Sequence, residues 1–215
     1  MKLCILSCSP NAYSTRRLKE AALQRNHERY PLMELDLSLT SDQKLVCLHD
    51  WHLGYRALFK EKTEQALSLA QFQAKSSSLP FTPCDEESLA RFLQTSPGLR
   101  IVVDSWSDPL LSAQRLLDTI PNADSRIIPQ AYSPQDYLAL QALGFDNIIL
   151  TLYRYDRRED SDHILALLGQ LKPYALTIPI SLAESAEYLE AIVQSGTPVY
   201  VHTINSCEVA SKIWS

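Results

Sequence analysis

Glycine is scarce in this chain of 215 residues: there are five, and no two lie close together. That excludes a Walker A loop and a Gly-x-Gly-x-x-Gly dinucleotide turn, because both need glycine for the backbone to approach phosphate. Positive charge is not in excess either. The 20 Lys and Arg against 25 Asp and Glu leave a formal net charge of −5. Non-specific nucleic-acid binding needs a basic face to neutralise phosphates, so no nucleic-acid partner is expected. No apolar run approaches the roughly 20 residues of a membrane span. The apolar stretch before Cys8 is shorter than the roughly 7–15 residues of a signal-peptide core, and it reads as a first β-strand. The cysteines, Cys4, Cys8, Cys47, Cys84 and Cys207, are odd in number and widely spaced, with no Cys-x-x-Cys pair. Reduced thiols in a cytoplasmic protein are expected, not a disulfide framework or a zinc site.

What is present is enough apolar residue to bury a sizeable core, 46% against 21% charged. Short β-rich runs recur at Lys2–Leu6, Leu32–Leu37, Leu45–Leu48, Arg100–Val103, Arg126–Ile128, Asn147–Leu152, Ala175–Ile180 and Pro198–His202. Helical patterns lie between most of them, at Thr15–Arg25, Leu58 to about Thr95 with a break at Ser76–Pro83, Pro109–Thr119, Pro134–Leu143, Ser161–Leu171 and Ala183–Gln194. Thr40-Ser41-Asp42-Gln43 reads as a tight turn between the second and third runs. Runs such as Ile101-Val102-Val103 are apolar on successive residues, as expected when both faces of a parallel strand are buried. Eight such units predict an α/β fold of the (β/α)8 barrel type, one domain over residues 1–215, short for its class; the alternative is an open doubly wound sheet, whose usual glycine-rich first turn is absent. After Asn205 a short helix, Glu208 to about Trp214, closes the barrel.

In such a barrel the chemistry sits at the C-terminal ends of the strands. Those ends carry Glu34 and Asp36, His49 and Asp50, Asp104, Gln130, Tyr153 and Arg154, and His202. On a strand Glu34 and Asp36 point to one side. Paired carboxylates repel, and a hard divalent cation relieves the repulsion, so the pair is a candidate site for magnesium or calcium; the alternative is a solvated polar strand face. His49 ends the run Lys44–Leu48 and titrates near neutrality, which suits proton transfer; a structural strand-end histidine is the alternative.

Glu34-Leu35-Asp36, Thr40-Ser41-Asp42 and His49-Asp50 resemble, in order and spacing, the glycerophosphodiester phosphodiesterase family, which shares its barrel with the phosphatidylinositol-specific phospholipases C. The resemblance covers roughly residues 30–215. It implies that Glu34, Asp36 and Asp104, the last in Ile101-Val102-Val103-Asp104, hold the metal, Mg2+ or Ca2+. It also implies that His49 is an acid/base residue. The lysine usual two residues after the third carboxylate is replaced by Trp106. Ile128-Pro129-Gln130-Ala131-Tyr132, Asn147–Tyr153 and Val199-Tyr200-Val201-His202-Thr203-Ile204-Asn205 resemble later strands of the family. Trp106, Gln130 and Arg154 are candidate substrate contacts.

The N-terminus departs from this pattern. The family places a second catalytic histidine after its first strand, where this chain reads Leu6-Ser7-Cys8-Ser9-Pro10. Residues 1–28 instead resemble the N-terminus of RimK-type ATP-grasp ligases, in Ile5-Leu6-Ser7, Tyr13-Ser14-Thr15-Arg16-Arg17-Leu18 and Glu20-Ala21-Ala22. This marks an atypical first β/α unit. His202, at the end of the last strand, is the candidate substitute for the missing histidine; an ordinary strand-end residue is the alternative. The expected function is hydrolysis of a small phosphodiester, impaired by that loss. The alternative is a non-catalytic relative that binds or regulates.

Overall fold

A computed structural model describes residues 32–80, 84–105 and 107–202, together with 204, 206, 208, 209 and 213. The expected first strand Lys2–Leu6, the helix Thr15–Arg25, Ser7, Cys8 and Trp106 lie outside the described residues. So do Asn205 and Trp214, at the two ends of the expected closing segment. The chain divides into two compact units.

The unit of residues 32–129, with Leu143–Phe145, contains β1 (Leu32–Leu39), β2 (Leu45–Cys47), β3 (Arg100–Asp104) and most of β4 (Ile127–Ala131). Strands β1 and β3 run parallel in the register Leu32↔Arg100 to Asp36↔Asp104, and β3 pairs with β4 through Ile101↔Ile127 to Val103↔Pro129. The unit's helices are α1 (Leu53–Phe59), α2 (Leu69–Ser76), α3 (Glu86–Thr95), α4 (Pro109–Thr119) and α5 (Ala123–Arg126). The starts of α2, α3 and α4 are chemically specified. Ser68 and Asp85 form capping boxes at α2 and α3, and Asp108 caps α4 with Pro109 in its first turn.

Strand β2 differs from the expected barrel stave. It is antiparallel to β1, pairing Leu37↔Cys47 through Leu39↔Leu45. The reason is the connection: parallel neighbours need a crossover of a dozen residues or more, and Thr40–Lys44 is a hairpin loop. Thr40 N–H donates to Lys44 O at 2.8 Å, and Gln43 takes the left-handed conformation at φ 58°. Val46, Leu48, Tyr55 and Phe72 bury a local core beside the hairpin, with Trp51, Leu58, Phe59, Leu67 and Leu69 packed on it.

The expectation of reduced thiols fails at one pair. Cys47 and Cys84 are disulfide-bonded, with Cα atoms 5.1 Å apart. The antiparallel bridge Val46↔Asp85 brings them together, and a sequence separation of 37 gives no local sign of it. Cys4, Cys8 and Cys207 lie outside the described residues.

The second unit comprises residues 130–142 and the described residues from Asp146 onward. The end of β4 pairs parallel with β5 (Ile149–Thr151), β5 with β6 (Ala175–Pro179) and β6 with β7 (Val199–His202). Helices α6 (Pro134–Ala142), α7 (Ser161–Leu171), α8 (Ile180–Ala183) and α9 (Ala186–Gln194) follow the strands. Every residue of β5 is buried, as in a parallel strand covered on both faces. No helix among the described residues is long and apolar enough to cross a membrane.

Candidate active site

The site is built from β1, β3 and the loop after β2, all in the first unit. Glu34 and Asp36 share one side of β1 because strand side chains alternate. The parallel register then sets Asp104 abreast of Asp36. Glu34, Asp36 and Asp104 each offer a carboxylate oxygen, and these oxygens all lie within 4.8 Å of one another. Two oxygens on opposite sides of a hard cation, at 2.0–2.6 Å each, sit about 4.0–5.2 Å apart, so the spread fits one ion. The donor set is all oxygen and anionic, which matches Mg2+ or Ca2+ and disfavours softer metals.

His49 follows β2 in a loop tied to β1. Ser38 Oγ donates to Leu48 O at 2.8 Å and Trp51 Nε1 donates to Leu39 O at 2.7 Å. Asp50 grips the histidine: its Oδ2 lies 2.5 Å from His49 Nδ1. Its other oxygen accepts from the N–H groups of His52 and Leu53, both at 2.6 Å, and of Gly54 at 3.3 Å. The Asp50 side chain is 11% exposed and that of His49 58%. Burial disfavours the charged imidazole, but the Asp50 hydrogen bond and the fields of Asp36, Asp50 and Asp104 outweigh it, so the His49 pKa is raised. For Asp50, burial raises and the His49 bond and the backbone N–H donors lower, with a net lowering. Gly54 packs closely on the histidine: a Cβ there would lie 3.2 Å from His49 Cβ, so a side chain would displace His49 slightly.

In the sequence Asp50 stands only as the second residue of the His49-Asp50 motif, with no role of its own. The signal was available, since an acid next to a histidine at the start of a helix can bond both the ring and the free N–H groups of the first turn.

Gln130, Arg154 and His202 belong to the second unit. Gln130 is buried, and its Oε1 accepts from Thr151 Oγ1 at 2.6 Å. Arg154 is exposed. His202 meets the Tyr153 ring edge-on at 4.3 Å, and Tyr153 Oη donates to the His202 carbonyl at 3.0 Å. Burial lowers the His202 pKa to about 4, and its buried Nε2 has no hydrogen-bond partner among the described residues. Trp106 is outside the described residues.

Comparison with known proteins gives two matches of different extent. The RimK PreATP-grasp domain model matches residues 1–55, about a quarter of the chain. No curated protein matches the sequence. Among solved structures, the chain is similar to a glycerophosphodiester phosphodiesterase of Thermotoga maritima, at 18% identity and TM-score 0.69, covering 100% of this chain and 91% of that one. An Oleispira antarctica phosphodiesterase in complex with the product sn-glycerol-3-phosphate matches at 16% identity and TM-score 0.65, covering 99% and 87%. A putative glycerophosphodiester phosphodiesterase of Galdieria sulphuraria matches at 13% identity and TM-score 0.63, covering 99% and 96%. At such identities the likeness speaks to fold, and the fold of this chain is the α/β barrel fold of the glycerophosphodiester phosphodiesterases.

Proposed function

We propose that this chain is a metal-dependent phosphodiester hydrolase acting on glycerophosphodiesters or related head-group phosphodiesters. One observation carries the reading: three carboxylates converge within reach of one cation, and the fields of two of them, Asp36 and Asp104, fall on a histidine gripped by Asp50. Glu34, Asp36 and Asp104 are the residues to hold the ion, Mg2+ or Ca2+. A bound divalent cation neutralises charge on phosphoryl oxygens.

The protein's own part is proton transfer. With Asp50 facing Nδ1, the His49 proton available to substrate is the one on Nε2. The Asp50 hydrogen bond favours the protonated imidazole, which suits donation to the leaving alkoxide. Asp50 is a positioning residue, holding the ring and its tautomer while the proton leaves. His202 is the second proton-transfer candidate; neutral at pH 7, it can accept a proton but only as a weak base. Trp106, Gln130 and Arg154 are proposed substrate contacts. We take the chain as one cytoplasmic barrel domain over residues 1–215, with residues 1–28 as its atypical first unit. Ligase activity is not carried over from the RimK match, since the chain lacks a glycine-rich phosphate loop.

A second reading, a phosphodiester-binding or regulatory protein without turnover, is favoured by Leu6-Ser7-Cys8-Ser9-Pro10, where no histidine stands, and by the depressed His202. The deciding experiment is hydrolysis of glycerophosphocholine and bis(p-nitrophenyl) phosphate with and without Mg2+ or Ca2+. Slow, metal-dependent turnover is expected, roughly 10²–10⁴-fold below a two-histidine site, and lost in His49→Ala and Glu34→Gln. Binding of sn-glycerol 3-phosphate with no turnover under any metal selects the second reading.

A further inference from the structure

The Cys47–Cys84 bond lies at a junction of the site. Cys47 pairs with Leu37, the residue after Asp36, and stands two residues before His49. Backbone contacts bring the two cysteines together apart from their sulfurs. Cys47 N–H donates to Cys84 O at 2.8 Å, and Val46 and Asp85 form an antiparallel bridge. At the far end, Asp85 caps α3 and accepts from Gln73 Nε2 of α2 at 2.8 Å. The covalent loop therefore encloses the segment that carries His49, Asp50, α1 and α2. Both cysteines are partly exposed, so a soluble thiol can reach the bond.

We propose that Cys47–Cys84 is a reversible thiol–disulfide modification site whose oxidation state sets how firmly the His49-bearing segment is held beside Glu34, Asp36 and Asp104. The inference rests on the reading of that cluster as the functional site. The reductant is a dithiol, or two equivalents of a monothiol such as glutathione. A thiolate attacks one sulfur and the S–S bond breaks, leaving a mixed disulfide and one free cysteine thiolate. A second reductant thiolate then releases the other cysteine. Cys47 and Cys84 gain two electrons and two protons, and the reductant leaves as its own disulfide. In a reducing compartment the pair rests open, and an oxidised disulfide closes it by the reverse exchange. Opened, the end of β2 is joined to residues 84–85 by backbone bonds alone, and the enclosed segment regains chain freedom.

The test equilibrates the full chain in glutathione buffers of graded ratio and traps thiols by alkylation, with mass readout at each cysteine. Amide hydrogen exchange and the Mg2+-induced melting shift are measured on the same samples. Cys47 and Cys84 should titrate together as one two-electron couple. Opening should speed exchange of the amides of residues 48–59 roughly tenfold or more and raise the Mg2+ concentration needed for half of the melting shift. The Cys47→Ser/Cys84→Ser variant should behave as the opened form in every buffer. Should that variant not fold, the wild-type chain in excess dithiothreitol supplies the opened form. Full alkylation of both cysteines in the most oxidising buffer overturns the proposal, as does a closed form whose exchange and Mg2+ response match the opened one. Hydrolysis is not a readout, so an inactive protein sinks the phosphodiesterase reading without touching this one.

Discussion

Asp50 shows how much one side chain decides. One oxygen faces His49 Nδ1 and the other collects three backbone N–H groups at the start of α1. Converting it to Asn removes the charge beside the ring but leaves a side-chain oxygen for those N–H groups. The Asp50→Asn variant should therefore show a lower His49 pKa, read from the imidazole NMR titration, with a cap loss of about 1 kcal/mol at most. An unchanged titration midpoint means that the contact is absent in solution. The sign for stability follows from the raised pKa. The His49 interactions stabilise the folded chain below the unfolded value of 6.5, and the contribution fades as pH rises through the folded value. At this scale the sequence was readable where residue type carries the chemistry. Glu34 and Asp36 stand out by residue type and spacing, Asp104 and His49 by the family resemblance, and the structure brings the three carboxylates together. Asp50 and Gly54 carry no assignment from the sequence, because their roles lie in geometry: an acceptor aimed at three amides and a close approach to His49.

Elements were legible through their pattern and ambiguous in their direction. The continuous apolar runs of β3 and β4 announced buried parallel strands, and the Ser76–Pro83 break fell between α2 and α3. Leu45–Leu48 has the same apolar run, but the preceding turn makes it the second arm of a hairpin. What fixes that arm from outside is Glu86 at the start of α3. Glu86 is 5% exposed; its Oε2 accepts from Leu45 N–H at 3.0 Å and from Arg115 Nε at 2.8 Å. Arg115 also bonds the other oxygen, with Lys44 at 3.6 Å. Burial raises the Glu86 pKa, but the Arg115 and Leu45 bonds overcome it and hold the carboxyl low. Removing Glu86 leaves a buried N–H at Leu45 and a half-buried guanidinium at Arg115. Glu86→Leu should cost roughly 1–3 kcal/mol in urea denaturation. A loss under 1 kcal/mol would show that β2 does not depend on this tie.

For the whole molecule, the number and length of the strand–helix units indicated a barrel, while the covalent link between Cys47 and Cys84 left no local trace. Two measurements act at this scale. An ion bound only to the folded chain stabilises by about 2.7 kcal/mol at a hundred times its Kd, so millimolar Mg2+ or Ca2+ should raise Tm by several degrees. Glu34→Gln should abolish most of that rise; equal shifts in both proteins would detach the effect from the carboxylates. Acid should act through His202. Its folded pKa of about 4 lies below the unfolded 6.5, so the unfolded chain binds the proton first and stability falls between those values, by up to about 3 kcal/mol at pH 4. His202→Gln should flatten that part of the stability profile; an unchanged slope would place the acid sensitivity elsewhere. The pairing of Asp36 with Asp104 carries one more consequence, for how the chain can change length. Side chains on a strand alternate, so one residue inserted or deleted between Arg100 and Asp104 turns the third carboxylate to the opposite face. The cluster is thus read in a two-letter frame, and frameshifts of one within β1 or β3 abolish it outright. Residues 60–68, which belong to no helix or strand, can lengthen or shorten without entering that frame.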